Sequence, residues 1–383
     1  MLLIAETLWV DWRTELKPSS YFIDESGHSG DLASAKSLDF ADQQVFALAC
    51  IGVIDEAGLA AELDRLRAVH RCGPDELKSS MSALPGFVLD LADYFEARDC
   101  PLFIELVDKR YFIAIHVVNH LLCGGTDPGR APIEARVAIA EFLTDAGADA
   151  ILLDYMALCR EPRLEAVRPL FDKLWDWLDE SDEDVARDAQ ILTMEARDRL
   201  SLGEATLDGF LPLPDLSETN RQVWMLPNLT SLAHIYGRIN HSRPDPLDGV
   251  TLVHHQQLQY GGVLERTKQL MERLARDGNV AALPFADYDL SDAAELRFSD
   301  FVRDPCLQAA DLLAGCAMRY ARDMTSRRRR SDPELRRAFF RLLELTDESE
   351  GRGINFVFTD AALQRMEVPV FRLPDWLDFD ENG

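Results

Sequence analysis

The stretch Tyr21-Phe-Ile-Asp-Glu-Ser-Gly-His-Ser-Gly30 decides how the fold is read. It opens on aromatic and β-branched residues and ends in polar residues and glycines, a pattern that predicts a strand closing on a turn. Beyond polar residues 31–42, Gln44 to Ile54 predicts a second strand. It is apolar on both faces and therefore central in a sheet. The two strands are close enough to pair as a hairpin with a long loop. Leu59, Leu63, Leu66 and Val69 then recur at helical spacing within residues 56–71.

Leu102-Phe-Ile-Glu-Leu-Val-Asp108 predicts a third strand, with a helix from Arg110 to Cys123 behind it and a loop over 124–130. From about 132 to 242 the pattern is helical almost throughout, containing an acidic run (Asp176 to Asp188) and a Pro-rich break around Leu211-Pro-Leu-Pro-Asp215. Within it Asp154 reads as a helix position and stays outside the candidate site. Val250 to Gln256 returns as a strand, a helix follows from about Leu264 to Asp277, Leu296 to Phe301 predicts a fifth strand, and Pro305 to Tyr320 a small-residue helix. Paired strands followed by alternating strands and helices make an α/β sandwich with an inserted helical lobe. The expected division is an α/β domain over 20–125 and 248–345, a helical insertion over 130–245, and a C-terminal extension over 346–383.

The chain has 383 residues and a net charge of −27, with 47% hydrophobic and 28% charged residues. Such a composition excludes disorder. The charge argues against nonspecific adhesion of the whole surface to nucleic acid or anionic membrane, but leaves room for a local basic groove or a metal among clustered acids. The seven cysteines are scattered, several in apolar runs, as expected of free thiols in a reducing compartment. Met1-Leu-Leu-Ile-Ala-Glu6 lacks a basic n-region, and the longest apolar run, Val45 to Ile54, is about half a membrane span. A cytoplasmic protein with no membrane partner is expected.

Asp24 and Glu25 end the first strand, where ligands gather in α/β sheets. Adjacent strand residues point to opposite faces, so one acid, Asp24, is the candidate cation ligand and Glu25 a secondary one. A turn-starting Asp with an Asx-type hydrogen bond explains the same residue. In Leu307-Gln-Ala-Ala-Asp-Leu-Leu-Ala-Gly315, Gln308 and Asp311 share a helix face. An acid on that apolar surface needs a cation or a donor, unless it simply complements the helix dipole. Asp75-Glu-Leu-Lys-Ser-Ser80 reads by itself as a solvated turn. His254, His255 and Gln256 end the later strand, as a metal ligand or acid–base group or as hydrogen-bonded core residues.

Asp24-Glu-Ser-Gly, Glu76-Leu-Lys, Val107-Asp-Lys109, Val253-His-His-Gln-Gln257 and Leu307 to Gly315 occur in an order that resembles the bacterial and phage "domain of unknown function 3800" proteins. The resemblance covers 20–125 and 248–320. It implies a ribonuclease H-like mixed sheet with flanking helices, interrupted here by the large helical insertion. It also implies a divalent-metal site, Mg²⁺ or Mn²⁺, that cleaves phosphodiesters of DNA or RNA, with a defence role against phage or mobile elements. By position Asp24, Glu76, Lys78, His255 and Asp311 form the catalytic set. Asp24, Glu76, His255 and Asp311 would be metal ligands, and Lys109 would contact substrate. Relatives carry a carboxylate where this chain has His255, so a different or degenerate metal site is the accompanying expectation, since imidazole suits Mn²⁺ or Zn²⁺ better than Mg²⁺.

From Arg319 to Arg341 the chain carries nine arginines and three acids, a net of 9 − 3 = +6. Arg327, Arg328, Arg329 and Arg330 are therefore expected to bind phosphate, or else to pair with the surplus acids. The rival expectation is a non-catalytic scaffold that binds a protein partner through its helical insertion.

Overall fold

The structure is a computed structural model that describes residues 17–27, 30–73, 77–124, 131–256, 259–278, 282–300, 304–326 and 332–370. β1 (Ser20–Ser26) and β2 (Val45–Val53) pair antiparallel as the predicted hairpin, Ser20 opposite Val53 and Ser26 opposite Ala47. Every residue of β2 is buried, the reason for its doubly apolar sequence. Gly27 ends β1 at φ +87°, and a Cβ there would lie 2.5 Å from the Val45 carbonyl oxygen, so the turn after Asp24 requires glycine.

α1 (Glu56–Val69) is capped by Asp55, which accepts from the Gly58 amide at 2.8 Å. α2 (Leu84–Ala97) was not expected from the sequence pattern; it buries Phe87, Val88, Leu91 and Phe95. β3 (Leu102–Asp108) runs antiparallel to β2. The predicted helix behind it divides into α3 (Lys109–His116), capped by Asp108, and a π-helical stretch, Val117–Leu122. α4 (Ile133–Asp145), α5 (Asp149–Arg160), α6 (Leu164–Asp179) and α7 (Asp184–Leu202) follow. The Pro-rich break leads into a small antiparallel ladder, β4 (Asp215–Leu216) with β5 (Gln222–Val223), where no strand was expected. α8 (Pro227–His241) closes this region.

β6 (Thr251–His255) pairs parallel to β1 and is followed by α9 (Gly261–Arg276). β7 (Ala282–Leu283) and β8 (Ala286–Asp287) form a second small ladder. β9 (Glu295–Ser299) lies parallel to β6. α10 (Pro305–Thr325) starts on Pro305, with Asp304 capping the Cys306 and Leu307 amides. α11 (Pro333–Leu343), β10 (Gly353–Val357) and α12 (Asp360–Arg365) complete the described chain. The segment after 346, expected as an extension, thus supplies an edge strand of the sheet through parallel pairing of β10 with β3.

Among the described residues the main sheet is mixed and six-stranded, in the order β10-β3-β2-β1-β6-β9. Only β2 is reversed, so the carboxyl ends of the other five strands share one edge. Alternation along β1 sends Phe22 into a core with α1, α2, α10 and α11, and Tyr21 and Ile23 into a core with helices α3 to α8. Helices therefore cover both faces. Among the described residues no helix is long and apolar enough to cross a membrane.

Candidate active site

Asp24 sits near the carboxyl end of β1, 2% exposed, on the face covered by α10. Its Oδ1 accepts from the Glu25 amide at 2.8 Å and meets Nδ1 of His255 at 3.2 Å. The parallel register explains the second contact: Ile23 lies opposite His254, so the next residues, Asp24 and His255, end neighbouring strands on one face. The hydrogen bond that His255 donates to Asp24 raises its pKa above the ordinary value against the effect of burial, and the charges of Asp24, Glu25 and Asp311 add to the rise. Its side chain remains 37% exposed.

Asp311 comes from the second turn of α10. Burial, and then the negative charge of Asp24, push its carboxyl up to about 6. Ser79 opposes that shift: its amide donates to Oδ2 at 2.7 Å and its hydroxyl to Oδ1 at 3.0 Å. Asp24 and His255, 231 residues apart in the chain, thus meet directly at one sheet edge, and Asp311 lies within electrostatic reach of both. Among the described residues no lysine or arginine bonds either carboxylate, and no group of three or more His, Cys, Asp or Glu encloses a metal position.

The remaining expected residues divide by location. Glu25 lies on the opposite face, where its carboxylate accepts from Asn228 Nδ2 at 2.6 Å. His254 shares that face; its Nδ1 donates to the His255 carbonyl at 2.8 Å, and burial lowers its pKa. Gln256 follows β6, exposed, its amide donating to the Ser299 carbonyl at 3.0 Å. Gln308 is buried and accepts from Arg67 Nη2 at 3.1 Å. Lys78 is exposed beside Ser79. Glu76, Arg327, Arg328, Arg329 and Arg330 lie outside the described residues.

Lys109 requires a correction. It was expected to contact substrate, yet it is fully buried, its Nζ donates to the Gln43 carbonyl at 2.6 Å, and it lies 5.5 Å from the Phe40 ring centroid. Burial pulls its pKa down to about 8. The residue follows Asp108 directly into α3, and that tight strand-to-helix turn folds its side chain inward.

Two features were missed in the sequence. Ser79 gave no signal, because a serine in a polar turn is ordinary. Glu105 gave one: it interrupts the apolar run of β3, where an acid is costly unless partnered. It is fully buried and accepts from Arg238 Nη1 at 2.7 Å, His234 Nδ1 at 3.2 Å and Asn355 Nδ2 at 2.7 Å.

A cleft of about 870 Å³ opens elsewhere along the sheet edge, lined among others by Asp108, Arg110, Asp145, Asp149 and Arg365. Asp24, His255 and Asp311 do not line it. No family model, curated protein or solved structure matches this chain.

Proposed function

We propose that the Asp24–His255–Asp311 cluster hydrolyses phosphodiester bonds of DNA or RNA with Mg²⁺ or Mn²⁺, on a ribonuclease H-like sheet. The observation that carries this reading is the placement of Asp24 at the carboxyl end of β1 within electrostatic reach of Asp311 on α10, whose carboxyl its charge raises, with no Lys or Arg bonded to either acid among the described residues. A cation relieves such repulsion. The opening hairpin with β2 alone reversed, followed by parallel strands, supports the fold part of the proposal.

The donors fit a hydrated hard ion. Mg²⁺ uses one or two carboxylates and completes its shell with water and phosphate oxygens. Oδ2 of Asp24 takes no hydrogen bond among the described residues, and each Asp311 oxygen accepts only once there. Asp24 and Asp311 would hold the ion, and the ion would activate water and stabilise the leaving oxygen. The bond between His255 Nδ1 and Asp24 favours an acid–base role for His255 over ligation, with Nε2 exchanging the proton. Lys78 would supply positive charge toward the phosphate. A defence role belongs to the same proposal through the sequence resemblance.

The test is incubation of the full chain with single- and double-stranded DNA and RNA in Mg²⁺ or Mn²⁺. Cleavage that Asp24→Asn and Asp311→Asn each reduce at least ~100-fold is expected. Cleavage that survives both substitutions, or none with any ion, overturns the proposal; the second outcome returns the chain to the non-catalytic scaffold reading.

A further inference from the structure

We infer that Ser79 is a positioning residue for Asp311, and that glycine stands at 315 to admit it; this rests on the reading of the Asp311 site proposed above. A carboxylate on its own turns easily about its last torsion, because sp³–sp² rotations have broad minima. Ser79 grips both oxygens, amide to Oδ2 at 2.7 Å and hydroxyl to Oδ1 at 3.0 Å, so the plane of the group is set. The grip uses one lone pair on each oxygen and leaves the others for a cation. It is also uncharged. An arginine in that place would orient Asp311 and cancel its charge, as Arg238 does for Glu105; a serine orients it and leaves the charge in place.

The loop that presents Ser79 is anchored on both sides. Leu77 is 2% exposed in the core under α10, and the Met81 amide donates to the Lys78 carbonyl at 3.0 Å. Gly315 lies one helical turn past Asp311 on α10. A Cβ at 315 would sit 2.0 Å from Cβ of Ser79 and 2.8 Å from its hydroxyl. Any side chain at 315 therefore lifts the loop off Asp311. The four-residue spacing from Asp311 to Gly315 becomes one unit, an acid followed by the slot for the residue that aims it.

The experiment uses the full chain as wild type, Ser79→Ala, Gly315→Ala, and the double variant Ser79→Gly with Gly315→Ala. Each is melted without divalent ion and then titrated with MnCl₂, reading the half-saturation of the thermal shift. Ser79→Ala should lower the ion-free melting temperature by a few degrees and raise the Mn²⁺ half-saturation about tenfold, through the loss of one hydrogen bond to a charged group. Gly315→Ala should lower both stability and Mn²⁺ binding. In the double variant the 2.0 Å collision is gone and the new Cβ lies 3.3 Å from the Cα of residue 79, so most of the stability should return while Mn²⁺ binding stays weak. Half-saturation unchanged in Ser79→Ala, or Mn²⁺ binding fully restored in the double variant, overturns the inference and leaves Ser79 a packing residue. A wild type that no Mn²⁺ concentration stabilises overturns the reading of the site itself, and this inference with it.

Discussion

Two acid–histidine pairs occupy the two faces of one sheet, and they are built to opposite ends. On the α8 face, Glu105 lies in the middle of β3 with no exposure. Burial alone would raise its carboxyl, but His234, Arg238 and Asn355 outweigh that and hold it below the ordinary range. Arg238 also donates to the Gly351 and Gly353 carbonyls at 2.7 and 2.8 Å, tying β3 to the approach of β10. On the α10 face, Asp24 accepts from the Glu25 amide and meets the His255 imidazole, while Asp311 accepts from the amide and hydroxyl of Ser79. The closed cluster neutralises its acid and locks strands together. The open one sits at strand ends, where His255 offsets the charge only in part, and burial together with the charge of Asp24 leaves the Asp311 carboxyl raised. Placement in the middle or at the end of a strand separates a structural lock from a candidate site.

The largest expected effect tests the lock. Glu105→Ala leaves the Arg238 guanidinium, 5% exposed, without its counter-charge, and should cost about 3–5 kcal/mol in chemical denaturation. A loss below about 1 kcal/mol would erase the distinction between the clusters.

Next comes the sign of the Asp311 contribution. Its folded-state carboxyl is raised from 3.8 to about 6, so the ionised form is the disfavoured one. The penalty is absent below pH 3.8, grows as pH rises toward about 6, and is constant above. Asp311→Asn removes it, and should stabilise the protein by up to roughly 2–3 kcal/mol above that range while leaving acid stability unchanged. Thermal melts across pH check this. Destabilisation at alkaline pH would instead group Asp311 with Glu105.

The smallest effect concerns His234. Burial lowers its pKa, and Glu105 more than offsets that, so the net shift is upward from 6.5. Its stabilisation is therefore complete below 6.5 and fades as pH rises through the folded value. His234→Gln should cost at most about 1 kcal/mol, with the deficit shrinking at alkaline pH. A deficit that grows with pH would mean that the imidazole is neutral in the lock.

Much of the fold was legible. β1 and β2 announce themselves by apolar runs with glycine or polar ends, and α10 by Asp304-Pro305 and its small residues. β10 was not, because Gly353-Ile-Asn-Phe-Val357 is short and becomes a strand through β3, far away in the chain. The π-helical end of α3 and the ladder of β4 with β5 likewise depend on their surroundings. In the site, Asp24 and Asp311 stood out as acids in costly places, whereas Ser79 became visible only when its loop met α10. Lys109 misled because adjacency to a strand end says nothing about which way a long side chain folds.

The sequence by itself determined where strands and helices form and which acids interrupt apolar segments, since those follow from propensity and periodicity over a few neighbouring residues. Tertiary structure alone decided which of those acids are neutralised and which keep their charge. A carboxylate's energy depends on the groups brought within a few ångströms of it, and here those groups lie up to 232 and 250 positions away.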